Sequence, residues 1–148
     1  MSVKDRRIYL VIALMALAGV VDSGIALHNH YAKSKTAYCD LGESFNCDIV
    51  NRSSYSAVMG IPVALLGVLG YVGLLALSTL YRAKAETPLI LLMAAVVGLA
   101  FALYLTYIEA YVLTVWCILC LFSLGMITGI TVLSSILLTN SIRRVERS

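Results

Sequence analysis

Four long apolar stretches divide the chain: Ile8 to Leu27, Met59 to Leu80, Pro88 to Ala110 and Cys117 to Thr139. Each meets the length of about 20 residues that an α-helix needs to cross the hydrocarbon core of a bilayer. The pattern predicts an all-α fold, an integral membrane four-helix bundle with a polar loop between the first two helices. Thr87-Pro88 marks a helix start, with Thr as the cap and Pro in the first turn, where no backbone donor is needed. Pro62 is expected to play the same part for the second helix.

Composition agrees with this reading. Of 148 residues, 61% are hydrophobic and 13% charged, whereas a soluble domain carries about 25% charged residues. One membrane domain over residues 1–148 accounts for the chain. Lys4, Arg6 and Arg7 before an apolar run, with Ala16-Leu17-Ala18 inside it, resemble a secretory signal and its cleavage site. The run continues through Val20, Val21, Ile25 and Leu27, so the segment is expected to stay as a spanning helix.

The basic residues set an orientation. Lys4, Arg6, Arg7, Arg82, Lys84, Arg143, Arg144 and Arg147 fall on one side of the four stretches, and Lys33, Lys35 and Arg52 on the other. Both termini should be cytoplasmic, and the loop from His28 to about Ser56 extracytoplasmic. The net charge of +3 is explained by this bias, and no nucleic-acid function is read from it. Gly67, Gly70 and Gly73, and Gly125 with Gly129, have the small-residue spacing that lets helices approach. Tyr9, Tyr31, Tyr38, Tyr55, Tyr81 and Tyr111 fit an interfacial belt.

The four cysteines carry the chemistry. Cys39, Cys47, Cys117 and Cys120 all map to the extracytoplasmic side, where disulfides form and persist. Cys117 and Cys120 stand three apart at the start of the fourth helix, on one face and within bridging distance. A helix N-terminus also favours the thiolate, the form that attacks a disulfide. Taken alone, either pair could be structural, Cys39 and Cys47 closing a loop and the other two serving as apolar residues. A metal site is disfavoured, because structural zinc draws on close-spaced pairs and seven residues separate Cys39 from Cys47. Two pairs on one membrane face suggest a relay that passes two electrons inward, and a lipid-soluble quinone fits as terminal acceptor.

The order of Cys39-x7-Cys47, Ser53, Ser54-Tyr55-Ser56-x3-Gly60-Ile61-Pro62 and Trp116-Cys117-Ile118-Leu119-Cys120 resembles the vitamin K epoxide reductase family over nearly the whole chain. Tyr104 to Glu109 leading into the Cys-x-x-Cys helix is especially similar to microbial homologues. The resemblance implies a bundle around a quinone site. Cys39 would exchange with a partner's dithiol, Cys47 would pass electrons to Cys117, and Cys120 would face the quinone, of ubiquinone, menaquinone or vitamin K type. Ser53 would polarise a quinone oxygen or shape its pocket. No thioredoxin-like domain follows Ser148, so the implied partner is a separate thioredoxin-like or DsbA-like protein. Leu124 stands where animal members carry a Tyr, which favours quinone reduction over epoxide reduction.

Asp22 and Glu109 are ionisable residues in apolar stretches, where such groups are costly and often functional. Asp22 is a candidate proton donor to a quinone, and Glu109 reads as a wetted helix end. His28 is a secondary candidate at the end of the first helix. Asn51-Arg52-Ser53 fits a glycosylation sequon to which no function is attached.

The expected activity is that of a thiol:quinone oxidoreductase supporting disulfide formation. The rivals are vitamin K quinone or epoxide reduction and a membrane scaffold or small transporter with structural cysteines. A DsbB-type oxidase has the same chemistry, but its Cys-x-x-Cys pair comes in the first loop, opposite to the order here.

Overall fold

A computed structural model describes residues 1–32 and 42–148. Cys39, Lys33, Lys35 and Tyr38 lie outside the described residues. The elements are α1 (Val3–Tyr31), α2 (Cys47–Arg52), a 3-10 turn (Ser54–Ser56), β1 (Ala57–Val58), β2 (Ile61–Pro62), α3 (Val63–Thr79), α4 (Thr87–Ile108), a π-helical turn (Glu109–Leu113) and α5 (Ile118–Arg147). Three helical segments among the described residues are long and apolar enough to span a membrane: Val3–Tyr31, Thr87–Leu113 and Ile118–Arg147. The apolar helix α3 is shorter.

The ends of α1 and α5 are better anchored than their apolar sequences suggest. Ser2 caps α1 through a reciprocal capping box with Asp5, which satisfies donors that a helix start otherwise leaves open. Asp5 is buried, pairs with the Arg144 guanidinium and accepts a hydrogen bond from Asn140 Nδ2 at 3.0 Å. The first turn of α1 is thus tied to the last turns of α5, and the two chain ends share one end of the bundle.

The second stretch departs most from expectation. Met59 does not start a helix; Ala57–Val58 and Ile61–Pro62 pair as a tight hairpin, Val58 opposite Ile61. Its two turn residues, Met59 and Gly60, both have positive φ, 52° and 81°, as a two-residue hairpin turn requires. Pro62 then stands at the cap position of α3 rather than within its first turn. Thr87 does not cap α4 either. Glu86 takes the cap position, and the Thr87 hydroxyl donates to the Tyr81 carbonyl at 2.5 Å, closing the connection from α3.

Inside the bundle α1 packs on α3 and α5, and α4 on α5 and α3. Tyr9, Ile12, Ala16, Tyr71, Leu74, Leu91, Ala95, Ile127, Ile130 and Leu137 form the core. Tyr9 therefore leaves the predicted interfacial belt. Many large apolar side chains point outward, among them Leu14, Leu17, Leu69, Met93 and Val97, as suits helices solvated by acyl chains. Thr106, Thr131, Ser134 and Thr139 donate their hydroxyls to carbonyls one turn earlier, so none brings an unsatisfied donor into the apolar interior.

The predicted glycine contacts hold in part. Gly67 lies against Ser23 and Gly129 against Met15, whereas a Cβ at Gly70, Gly73 or Gly125 would meet nothing within 4 Å. A further close approach is at Gly19, where a Cβ would overlap the Tyr71 ring.

Candidate active site

Two short extended segments bring distant cysteines together. Asn46 N–H donates to the Trp116 carbonyl at 3.1 Å, Trp116 N–H donates to the Ser44 carbonyl at 2.9 Å, and Phe45 and Trp116 form a parallel bridge. A cysteine follows closely on each segment. Cys47 and Cys117 share one small cluster, both at 0% exposure, with Val50, Leu119 and Cys120 packed around them. Asn46 helps by capping α2, its side chain accepting from Asp48 N–H at 3.0 Å and Ile49 N–H at 3.2 Å. Cys47 is disulfide-bonded, while Cys117 and Cys120 are free thiols.

The membrane pair is not the two helical residues expected. Cys117 is the extended cap residue of α5 (φ −109°, ψ 117°), and only Cys120 lies within the helix. Cys120 still packs against Cys117 in the same cluster. The extended backbone at Cys117 follows from the bridge at Trp116, which a helical residue cannot make.

Cys117 is held from a second direction. The chain leaves α4 through the π-helical turn and reverses at Thr114, in the left-handed region (φ 53°), with Val115 N–H donating to the Glu109 carbonyl at 3.2 Å. This reversal lets Cys117 N–H donate to Glu109 Oε2 at 3.0 Å. Glu109 is 1% exposed, so the structure corrects its reading as a wetted helix end.

Below the cysteines lies a cavity of about 240 Å³ between α1, α2, α3, α4 and α5. Its wall is mostly apolar, with Leu66, Leu74, Phe101, Leu105 and Leu119 among the lining residues. Cys120 lines it, and so do Asp22, His30, Asn51, Ser53, Tyr71, Glu109 and Ser123. Gly67 and Gly70, expected to serve helix packing, line it as well. An apolar cleft with a few convergent polar groups is the usual form of a small-molecule site.

The polar lining is largely committed to internal bonds. Tyr71 Oη–H donates to the Ser123 carbonyl at 2.9 Å, and the Tyr71 and Ser123 hydroxyls share a second hydrogen bond at 2.8 Å. Ser53 donates its hydroxyl to the Val50 carbonyl at 2.8 Å. His30 Nδ1–H donates to the Asn51 carbonyl at 2.6 Å, which leaves Nε2 for other contacts. Asn51 itself is 8% exposed, and its Nδ2 has no hydrogen-bond partner among the described residues.

A family model described as the vitamin K epoxide reductase family matches residues 10–135. The chain belongs to that family. It is accordingly an integral membrane protein of an oxidoreductase family whose chemistry involves quinones. Within this family member, Cys47, Cys117, Cys120, Ser53 and Asp22 all lie in or beside one site.

Several site residues escaped sequence reasoning. His30 lines the cavity, whereas His28 is exposed and does not. Asn51 faces the interior instead of offering a glycosylation site. Its position one helical turn after Cys47 was the available signal, because that spacing puts both on one face of α2. Tyr71 and Ser123 carried no signal beyond being polar groups within apolar helices.

Proposed function

We propose that this protein is a membrane thiol:quinone oxidoreductase that oxidises a separate thioredoxin-like or DsbA-like partner and reduces a lipid quinone. A partner dithiol first reduces the loop pair, Cys39 meeting the partner and Cys47 facing inward. Cys47 thiolate then attacks the Cys117–Cys120 disulfide at Cys117, and closure of the loop disulfide leaves Cys117 and Cys120 as thiols. Those two thiols give two electrons and two protons to the quinone, restoring their own disulfide and releasing quinol.

One observation carries this reading: Cys120 lines the apolar cavity while its thiol partner Cys117 packs against disulfide-bonded Cys47. The cavity suits a quinone ring through its apolar wall, and the free Asn51 amide N–H suits a carbonyl oxygen. The site would take ubiquinone, menaquinone or a vitamin K type quinone.

In this reading α3 makes a fourth crossing, its 17 residues reaching about 26 Å and the hairpin before it completing the span. The basic-residue bias supports cytoplasmic termini. The cysteines, at the end of the bundle opposite the Asp5–Arg144 pair, would then face the extracytoplasmic side. The test is quinone reduction by purified protein in detergent with a reduced thioredoxin-like donor. Turnover that disappears in Cys120→Ser supports the relay, and turnover retained in that variant refutes it.

A further inference from the structure

Two buried side-chain atoms among the described residues lack a hydrogen-bond partner, Asn51 Nδ2 and Glu109 Oε1. Both residues line the same cavity. Leaving a buried polar atom unpaired is destabilising, so such atoms point to something the fold keeps them for. A free amide N–H is explained by any ligand with a carbonyl. A carboxyl oxygen at the thiol end of the cavity requires a different account.

Glu109 is joined to both halves of the reaction. Its Oε2 holds the Cys117 backbone at 3.0 Å, and it shares the cavity wall with Cys120. It also opens the π-helical turn, an irregularity that occurs often at functional sites. Asp22 and His30 on α1, Tyr55 in the 3-10 turn and Tyr71 on α3 are the other titratable groups on the wall besides Cys120. Tyr71 is engaged with Ser123 and His30 with Asn51. Among the described residues, Glu109 is the carboxyl that meets both the cysteine segment and the cavity.

We propose that Glu109 carries the thiol proton to the quinone, an inference that rests on the thiol:quinone reading above. Its carboxylate takes the proton from the cysteine thiol as sulfur gives up its electrons, and the resulting carboxylic acid delivers that proton to a quinone oxygen. The carboxyl makes this transfer twice, once for each thiol, and the balance is then closed. Two S–H bonds break and one S–S bond forms, the two sulfurs lose two electrons, and the quinone gains two electrons and two protons. Glu109 returns to its starting state. The Cys117 N–H bond keeps the carboxyl aimed while Oε1 stays open for the proton.

Glu109→Gln separates the two duties, because the amide oxygen still accepts from Cys117 N–H but the side chain cannot shuttle a proton. The experiment mixes anaerobic protein, with Cys117 and Cys120 reduced, with a water-soluble ubiquinone analogue in one turnover, in H2O and in D2O. Thiol oxidation in Glu109→Gln should slow by about 100-fold or more, the lower range for a lost acid-base group. Glu109→Asp should recover part of that rate. Quinone binding and exchange between the loop disulfide and a reduced thioredoxin-like protein should stay within about threefold of wild type, since neither step needs this proton.

Wild-type oxidation rates in Glu109→Gln, with an unchanged solvent isotope effect, overturn the proton-carrier role and leave the relay standing. Loss of loop exchange and quinone binding together with oxidation, in both the Gln and Asp variants, makes Glu109 a structural residue and also overturns it. Failure of the wild-type protein to be oxidised by any quinone removes the underlying reading instead.

Discussion

Cys47 and Cys117, seventy positions apart in sequence, pack against each other in a pocket closed to solvent. The two segments are joined by backbone, through the bonds between Asn46, Trp116 and Ser44. Disulfide exchange needs an attacking sulfur with access to a particular sulfur of its target. The stitched backbone places the two sulfurs where that access is available.

Pairing of these two sulfurs is directly testable. A protein carrying Cys39→Ser and Cys120→Ser keeps only Cys47 and Cys117, and mild oxidation should close a disulfide between them in near-complete yield. The matching Cys39→Ser, Cys117→Ser protein, which keeps Cys47 and Cys120, should close at least about tenfold more slowly, because access governs the exchange rate. Non-reducing peptide mapping by mass spectrometry reads both outcomes.

Asn51 should trade stability for affinity. Its amide nitrogen is buried and unpaired, so Asn51→Leu should leave the quinone-free protein as stable as wild type or up to about 1–2 kcal/mol more so. The same change should raise the KM for quinone by about tenfold, as expected for one lost hydrogen bond to a buried ligand. Thermal unfolding in detergent and quinone titration separate the two effects.

Gly19 is needed for the position of Tyr71. Gly19→Ala would push a methyl group into the ring, and overpacking of this kind costs about 1–3 kcal/mol. Because Tyr71 bonds Ser123 at the cavity wall, quinone turnover should fall together with stability. Tyr71→Phe should lower turnover much less, and Tyr71→Ala combined with Gly19→Ala should recover part of the lost stability by removing the clash.

The far end of the bundle should affect stability alone. Asp5→Ala removes the capping box and the bonds to Asn140 and Arg144, at a cost of about 1–2 kcal/mol. Arg144→Met should cost less, about 0–1 kcal/mol, since its side chain is half exposed (52%) and the buried Asp5 keeps its bonds to Ser2 and Asn140. At temperatures where both variants are folded, quinone turnover should equal that of wild type.

Three membrane spans were legible in the sequence because long apolar runs leave a strong compositional mark, and thiol chemistry singled out Cys47, Cys117 and Cys120, which the structure brings into one cluster. The hairpin at Met59–Gly60 was less so, since a Met at positive φ is unusual and the apolar run continued through it. Extended backbone at Cys117 could not be read either. It depends on the pairing of Trp116 with Phe45, and spacing along one segment says nothing about a partner so distant in the chain. Glu109 looked like a residue at a wetted helix end, for its burial comes from the chain reversal at Thr114. Asn51 and His30 belong to the site through the packing of α2 on α1, a tertiary contact with no local signature.

The most direct measurement is thiol mapping of the purified protein, its membrane pair first reduced and kept anaerobic, before and after one equivalent of quinone, with quinol quantified in the same sample. The relay predicts that Cys117 and Cys120 are labelled before addition and protected afterwards, with two thiols lost for each quinol formed and Cys47 unchanged. Quinol formed while Cys117 and Cys120 remain free, or no change in any thiol with every quinone type, would contradict it.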